Sequence, residues 1–237
     1  MPGVLYVVST PIGNPDDLTL RALRVLREVQ WIASEDPAST RQLLSYHAID
    51  TPLTAYHNVN KDEKIPVLMA KLLGGDNLAL VSDAGTPVIF DPGAVLISQA
   101  QTSGIRVVPI PGPSAPITAA AVSGFSIDGL IIQGFLPRGS APQRQFLDAL
   151  QEERRTVILL IRPRRLRPTL KALCVALGTR RLALAKNLTM PDEEVLRGTT
   201  AELLERTDQR VIQGELTLVI EGNRGKRARG RDAELKD

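Results

Sequence analysis

Residues 78–87 read Leu78-Ala79-Leu80-Val81-Ser82-Asp83-Ala84-Gly85-Thr86-Pro87, with Asp91-Pro92 just beyond and Ile105-Arg106-Val107-Val108-Pro109 after that. The opening apolar run is too short for a helix and reads as a buried strand. The Gly- and Pro-bearing stretch behind it reads as a loop. Asp91-Pro92 is a helix start, with Asp as N-cap and Pro at the first helical position. That helix runs to Gly104, which stops it. Residues 105–109 form the next strand. Strand, loop, helix, strand is the repeating unit of a parallel α/β sheet with right-handed crossovers.

The same unit recurs on both sides. Toward the N-terminus, Leu5-Tyr6-Val7-Val8-Ser9 is a strand that enters the turn Thr10-Pro11-Ile12-Gly13-Asn14-Pro15. Asp16 or Asp17 then caps a helix bearing Leu20, Leu23, Val25, Leu26 and Val29. Further strands are expected at 31–34 and 53–56, with helices near 40–45 and 62–73. Toward the C-terminus, Pro109-Ile110-Pro111-Gly112-Pro113 places three prolines in five residues and breaks regular structure. A small apolar helix over 114–122 follows. Strands near 130–136, 156–161, 181–186 and 215–221 then alternate with helices near 142–151, 165–177 and 199–206. This predicts two α/β domains, 1–112 and 113–223, and a tail, 224–237, without apolar periodicity that is expected to be mobile.

Composition narrows the function. The 237 residues are 43% hydrophobic and 23% charged, which is ordinary globular usage and excludes a disordered or fibrous chain. A single cysteine, Cys174, excludes an internal disulfide, and with only two histidines a zinc or iron centre is not expected. No apolar run is long enough to span a membrane, and the N-terminus lacks the basic start of a signal peptide, so a cytoplasmic protein is expected. Aromatics are 3%, too few for a stacking platform to be the main binding device. The net charge of +3 is uneven: residues 1–112 carry −3, residues 113–223 carry +3 and the tail carries +3. A polyanion would therefore use the second half and the tail.

Three loops carry ligand chemistry, since glycine lets a backbone approach a ligand. They are 10–15, 82–87 and 111–115, each after a strand, where open α/β sheets bind ligands. None is a G-x-G-x-x-G or G-x-x-x-x-G-K-[ST] fingerprint, and proline removes amides a polyphosphate needs. A nucleoside without a polyphosphate suits them better. Glu35, Asp36 and Asp83 are acidic candidates for proton handling, although Asp36-Pro37 and Asp91-Pro92 also read as helix caps. Arg162-Pro163-Arg164-Arg165-Leu166-Arg167 sets four guanidiniums at a strand-to-helix junction. Positive charge there opposes the helix dipole, so the cluster suggests phosphate binding.

These loops have a familiar order. Ser9 to Ala22 (S-T-P-I-G-N-P-D-D-L-T-L-R-A), Ser34-Glu35-Asp36 with Arg41, and Val81 to Gly93 (V-S-D-A-G-T-P-V-I-F-D-P-G) resemble the bacterial 16S rRNA ribose 2′-O-methyltransferases. So do Pro109 to Ala115 (P-I-P-G-P-S-A), Gly134 to Arg138 (G-F-L-P-R), Arg197-Gly198-Thr199 and Gly214 to Gly222. These enzymes are the cytidine-2′-O branch of the tetrapyrrole methylase superfamily. The resemblance spans about residues 4–222. It implies two α/β domains, usually in a homodimer, with S-adenosylmethionine in the cleft between the domains and no metal. Pro11, Ile12 and Gly13 would line one side of the cofactor. Asp83, Ala84, Gly85, Thr86 and Ile89 would meet its amino acid and sulfonium end, beside Ser114 and Ala115. Leu160, Ile161, Asn187, Leu216, Thr217 and Leu218 would close over the adenine. Glu35, Asp36 or Lys186 would assist the ribose hydroxyl. Small-subunit rRNA, free or in the assembled subunit, would lie over Arg41, Arg138, Arg162, Arg164, Arg165 and Arg167.

The chain departs from the branch on the substrate side. Pro37-Ala38 stands where Thr-Arg is usual after Glu35-Asp36. Ile161-Arg162-Pro163-Arg164-Arg165 stands for Tyr-Glu-x-Pro-His-Arg, and Lys186-Asn187-Leu188-Thr189-Met190 for Arg-Glu-Leu-Thr-Lys. Two other functions fit the same loops: a tetrapyrrole methyltransferase, and a non-catalytic RNA- or ribosome-binding protein on the same fold.

Overall fold

The computed structural model describes residues 1–89, 91–208 and 212–223. The tail expected to be mobile lies outside the described residues. The chain divides into two units, Met1–Ala115 and one beginning at Pro116.

Unit 1 is a five-stranded parallel sheet in the order β3-β2-β4-β1-β5. Its strands are β1 (Val4–Val8), β2 (Trp31–Ser34), β3 (Leu53–Ala55), β4 (Leu78–Val81) and β5 (Arg106–Ile110). The apolar run that opens residues 78–87 is the central strand β4, and all four of its residues are buried. Successive side chains point to opposite faces. Leu78 and Leu80 join Leu5, Leu68, Leu72 and Leu96 on the face covered by α3 (Lys61–Leu73) and α4 (Ala94–Thr102). Ala79 and Val81 join Val8, Leu26, Ile32 and Leu44 on the face covered by α1 (Leu20–Glu28) and α2 (Pro37–Tyr46). Each fully buried leucine contributes about 1.5–3 kcal/mol. The chain leaves β1 toward β2 and leaves β4 toward β5, in opposite directions across the sheet. The carboxyl ends of β1 and β4 therefore flank the switch point where such sheets bind ligands.

Two helix starts differ from expectation. Asn14, not Asp16 or Asp17, caps a short 3₁₀ turn at Pro15–Asp17, and Thr19 caps α1 by accepting the Ala22 N–H at 3.1 Å. Asp91 caps nothing: α4 begins at Ala94 behind Gly93, whose φ of +150° suits only glycine. A side chain there would also meet Leu80 Cδ2 at 2.9 Å.

Unit 2 holds a mixed sheet in the order β6-β7-β10-β8-β9. The strands are β6 (Leu130–Gly134), β7 (Thr156–Ile161), β8 (Arg181–Lys186), β9 (Glu194–Thr199) and β10 (Leu216–Ile220). Only β6 and β7 pair in parallel; β7–β10, β10–β8 and β8–β9 are antiparallel. Val157, Leu159 and Ile161 of β7 pack with Leu216, Leu218 and Ile220 of β10. Over them lie Leu150, Leu166, Leu170 and Leu203. These come from α6 (Ser140–Glu152), α7 (Pro163–Leu177) and α8 (Thr200–Asp208). The small helix after the proline break is α5 (Ala115–Ser123). Strand β9 has no counterpart in the sequence reading. Cys174 is half-buried in α7. Among the described residues, no helix is long and apolar enough to cross a membrane.

Candidate functional site

In unit 1 the three loops singled out by the sequence meet at Gly85. The Thr10 N–H donates to Gly85 O at 2.9 Å, and the Gly85 N–H returns to Thr10 O at 3.1 Å. Ser82 Oγ donates to the same Gly85 carbonyl at 3.0 Å, and Thr10 Oγ1 donates to Ser82 O at 3.1 Å. Thr86 Oγ1 lies 3.0 Å from Ser9 Oγ and donates to Pro113 O at 3.1 Å. Loops 10–15, 82–87 and 111–115 are thus stitched by hydroxyls and amides that contain no charge. Gly85 has φ of +84°, and a Cβ on it would sit 3.3 Å from Ile12 Cγ2 and 3.6 Å from Pro113 O. Glycine is required twice over: for the backbone angle and for the close approach of the other two loops.

Pro11 and Ile12 are buried, whereas Gly13, Asp83 and Ala84 are exposed at the rim. Ser114 and Ala115 are half-buried, and the Ser114 hydroxyl is buried without a hydrogen-bond partner in the protein. A buried hydroxyl left unpaired is costly, so this atom marks a place for a polar ligand group. Ile89 lies half-buried on the same 82–93 segment.

The carboxylates gather at the ends of β2 and β4. Asp83 Oδ1 accepts the Asp36 N–H at 2.9 Å. Asp36 itself caps α2, its Oδ1 accepting the Ala38 N–H at 2.8 Å, with Pro37 in the first turn. Burial and the neighbouring Asp83 raise the Glu35 pKa above the ordinary carboxylate value, against a smaller opposing pull from His57. Partial burial of its carboxyl raises Asp83 also, with the Asp36 N–H opposing and the Asp36 charge adding a smaller push upward. Asp91 is pushed up to about 6 by burial, then by Glu35 and Asp83, and a hydrogen bond from Ser82 opposes the shift. Sequence reasoning missed Asp91 as a member of this group, because Asp-Pro ahead of an apolar stretch carries the signature of a cap. Arg41 is exposed on α2.

In unit 2, Leu160, Ile161, Arg138, Arg162, Arg164 and Arg165 line one cavity of about 630 Å³, together with Phe135, Leu136 and Thr169. The Arg162 guanidinium lies over the Phe135 ring, 5.0 Å from its centroid. Arg167 is not part of this lining; it pairs with Asp208 through Nε at 2.6 Å and Nη2 at 3.0 Å. Phe135 and Thr169 were not singled out from sequence, although the adjacency of Phe135 to Arg138 in G-F-L-P-R was visible.

Leu216 pairs with both Ile161 and Lys186, and Thr217 with Leu160 and Ala185, so these expected positions are neighbours in the sheet. The Leu216 and Leu218 side chains belong to the apolar cluster, which leaves Thr217 on the opposite face. Asn187 has φ of +48°, which asparagine tolerates better than most residues. Its Oδ1 accepts the Glu215 N–H at 2.8 Å, and its Nδ2 donates to Asp192 Oδ2 at 2.7 Å. Lys186 Nζ donates to the same Asp192 oxygen at 2.7 Å. Lys186 is therefore committed as an ion-pair donor, and Asp192 is held below the usual carboxylate range, chiefly by the Lys186 hydrogen bond and then by Asn187.

Residues 4–204 match the family of Tetrapyrrole (Corrin/Porphyrin) Methylases. The chain belongs to the tetrapyrrole methylase family. Among its relatives, this methylase is 40% identical over 221 residues to the Ribosomal RNA small subunit methyltransferase I of Bacillus subtilis, covering 93% of this chain and 76% of that protein. It is 43% identical over 225 residues to the protein of the same name from Escherichia coli O157:H7, covering 94% and 79%. Its fold is that of a cobalt precorrin-4 methyltransferase of cobalamin biosynthesis, with a TM-score of 0.69, 18% identity, and coverage of 92% of this chain and 94% of the other. A uroporphyrin-III C-methyltransferase from Thermus thermophilus, solved with S-adenosyl homocysteine, gives a TM-score of 0.64 at 18% identity, covering 92% and 97%.

Proposed function

We propose that this methylase transfers the methyl group of S-adenosylmethionine to a ribose 2′-hydroxyl of a cytidine in small-subunit (16S) rRNA. The observation that carries the reading is the 40–43% identity, over more than nine-tenths of the chain, to proteins named as small-subunit rRNA methyltransferases. The likeness to precorrin and uroporphyrin enzymes, at 18% identity, speaks for the fold alone.

The unit 1 loops fit the cofactor. Gly85 lets the three loops close on one another, the orphaned Ser114 hydroxyl offers a polar contact, and exposed Asp83 offers a carboxylate to an ammonium group. Bound S-adenosylmethionine supplies a methyl group already activated as a sulfonium, so in-line attack by oxygen releases a neutral thioether. The protein's work is positioning, which supplies up to about 7–11 kcal/mol in well-oriented systems, and removal of the hydroxyl proton. Of the three residues expected to assist the ribose hydroxyl, Asp36 is held by the α2 amides and Lys186 by Asp192. Glu35 makes no hydrogen bond among the described residues, and its raised pKa makes it the better proton acceptor. We assign it that role.

Cytoplasmic location, a homodimer and small-subunit rRNA as substrate, free or in the assembled subunit, complete the proposal. The test is transfer of label from isotopically labelled S-adenosylmethionine to small ribosomal subunits, with a tetrapyrrole acceptor in parallel. Label in the ribose supports the reading; label in the tetrapyrrole alone overturns it.

A further inference from the structure

The cavity of unit 2 has a composition unlike the rest of the surface. Among the described residues, four arginines line it and no carboxylate does. Several arginines elsewhere in the unit are engaged: Arg155 with Glu153, Arg167 with Asp208, Arg181 with Glu221, and Arg180 with the Glu221 and Gln151 carbonyls. Among the described residues, Arg138, Arg164 and Arg165 make no ion pair or hydrogen bond through their side chains, and Arg162 meets only the Phe135 ring. Three of the four sit at the start of α7, whose positive pole they oppose rather than relieve. Mutual repulsion of that kind is unrelieved until an anion arrives.

The apolar part of the lining is equally specific. Phe135 is 44% exposed, a large ring left at the cavity edge with a guanidinium over it. Leu136, Leu160 and Ile161 continue the apolar wall, and Thr169 adds a hydroxyl. A volume of about 630 Å³ lies within the usual range for small-molecule sites. Cations for phosphates and one aromatic face for a base are the recognition set of a single-stranded nucleotide. A duplex offers its bases only in the stack and cannot use the ring.

We infer that this cavity is a subsite for one unpaired RNA nucleotide, with Phe135 and the Arg162 guanidinium against its base and Arg138, Arg164 and Arg165 on its phosphates. The inference rests on the RNA reading above and adds what it lacks: a requirement for single-stranded sequence, read by stacking rather than by base edges.

The experiment is titration of the full chain with a short, labelled single-stranded RNA over a range of salt, followed by fluorescence anisotropy. Cofactor binding is measured calorimetrically on the same samples. Phe135→Ala is expected to weaken the single strand about fivefold or more while leaving its salt dependence intact. Phe135→Trp is expected to restore it, and the same RNA as a duplex is expected to be indifferent to both changes. Arg164→Ala with Arg165→Ala is expected to weaken binding and to reduce the log–log salt slope by about 1.4, two single-strand phosphate contacts. Arg155→Ala, at an arginine paired with Glu153, is the control and is expected to behave like the unaltered protein. Equal binding by all variants overturns the inference. So does loss of cofactor affinity with RNA affinity intact, which gives the cavity to the cofactor. If RNA binding follows the expected pattern but no methyl transfer is found, the subsite stands and the enzymatic reading fails.

Discussion

Thr10 and Gly85 exchange both of their backbone hydrogen bonds, at 2.9 and 3.1 Å, and so clamp the loop after β1 to the loop after β4. These are the two strands that flank the switch point of the unit 1 sheet. The clamp depends on Gly85 keeping φ at +84°. Gly85→Val forces a branched side chain into that angle and against Ile12, at a cost of order 1–3 kcal/mol. The melting temperature is expected to fall by about 2–10 °C. Cofactor affinity is expected to fall by more than tenfold. Calorimetry reads both quantities.

Ser114 separates binding from stability. Its hydroxyl is buried without a partner, so Ser114→Ala removes an unsatisfied group and is expected to leave the free protein as stable or slightly more so. With the cofactor bound, a hydrogen bond worth about 0.5–1.5 kcal/mol is lost, a two- to tenfold weaker affinity. Urea unfolding with and without S-adenosylmethionine distinguishes the two effects.

Asp91 gives the site a pH signature. Its pKa of about 6 exceeds the ordinary 3.8, so between those values the folded protein holds a proton that the unfolded chain releases. The stability contributed by this group is present below about pH 4, falls as pH rises to about 6, and stays lost above it. Asp91→Asn is expected to flatten that slope. At pH 8 it is expected to raise the melting temperature by about 1–3 °C. Thermal melts at half-unit pH steps follow both.

Glu35→Gln keeps the shape of the side chain and removes its basicity. The turnover number is expected to fall by about 10²–10⁴ with cofactor affinity unchanged. A fall in cofactor affinity alone would instead make Glu35 a binding residue. Single-turnover transfer and calorimetry on the same variant separate these outcomes.

The first sheet was legible because its strands are continuous apolar runs closed by Gly and Pro. The loops 10–15, 82–87 and 111–115 were legible for the same reason. What the residues do not encode locally was lost. Asp91 carries every local mark of a cap, and only the conformation of Gly93 moves the helix start past it. Strand β9, Glu194 to Thr199, is an edge strand interrupted by Arg197 and Gly198, and its half-buried pattern hides it among turn residues. Antiparallel pairing of β10 between β7 and β8 is a tertiary choice that strand–helix alternation does not announce. The Arg162–Arg167 cluster was visible as charge, but its division was not: Asp208, 41 residues on, takes Arg167 out of it.

The central claim is most directly tested by incubating the protein with isotopically labelled S-adenosylmethionine and small ribosomal subunits from cells that lack it, then mapping the label. One labelled 2′-O-methylcytidine, absent with Gly85→Arg, is the predicted result. Normal cofactor binding with no label in the ribosomal RNA would contradict the account.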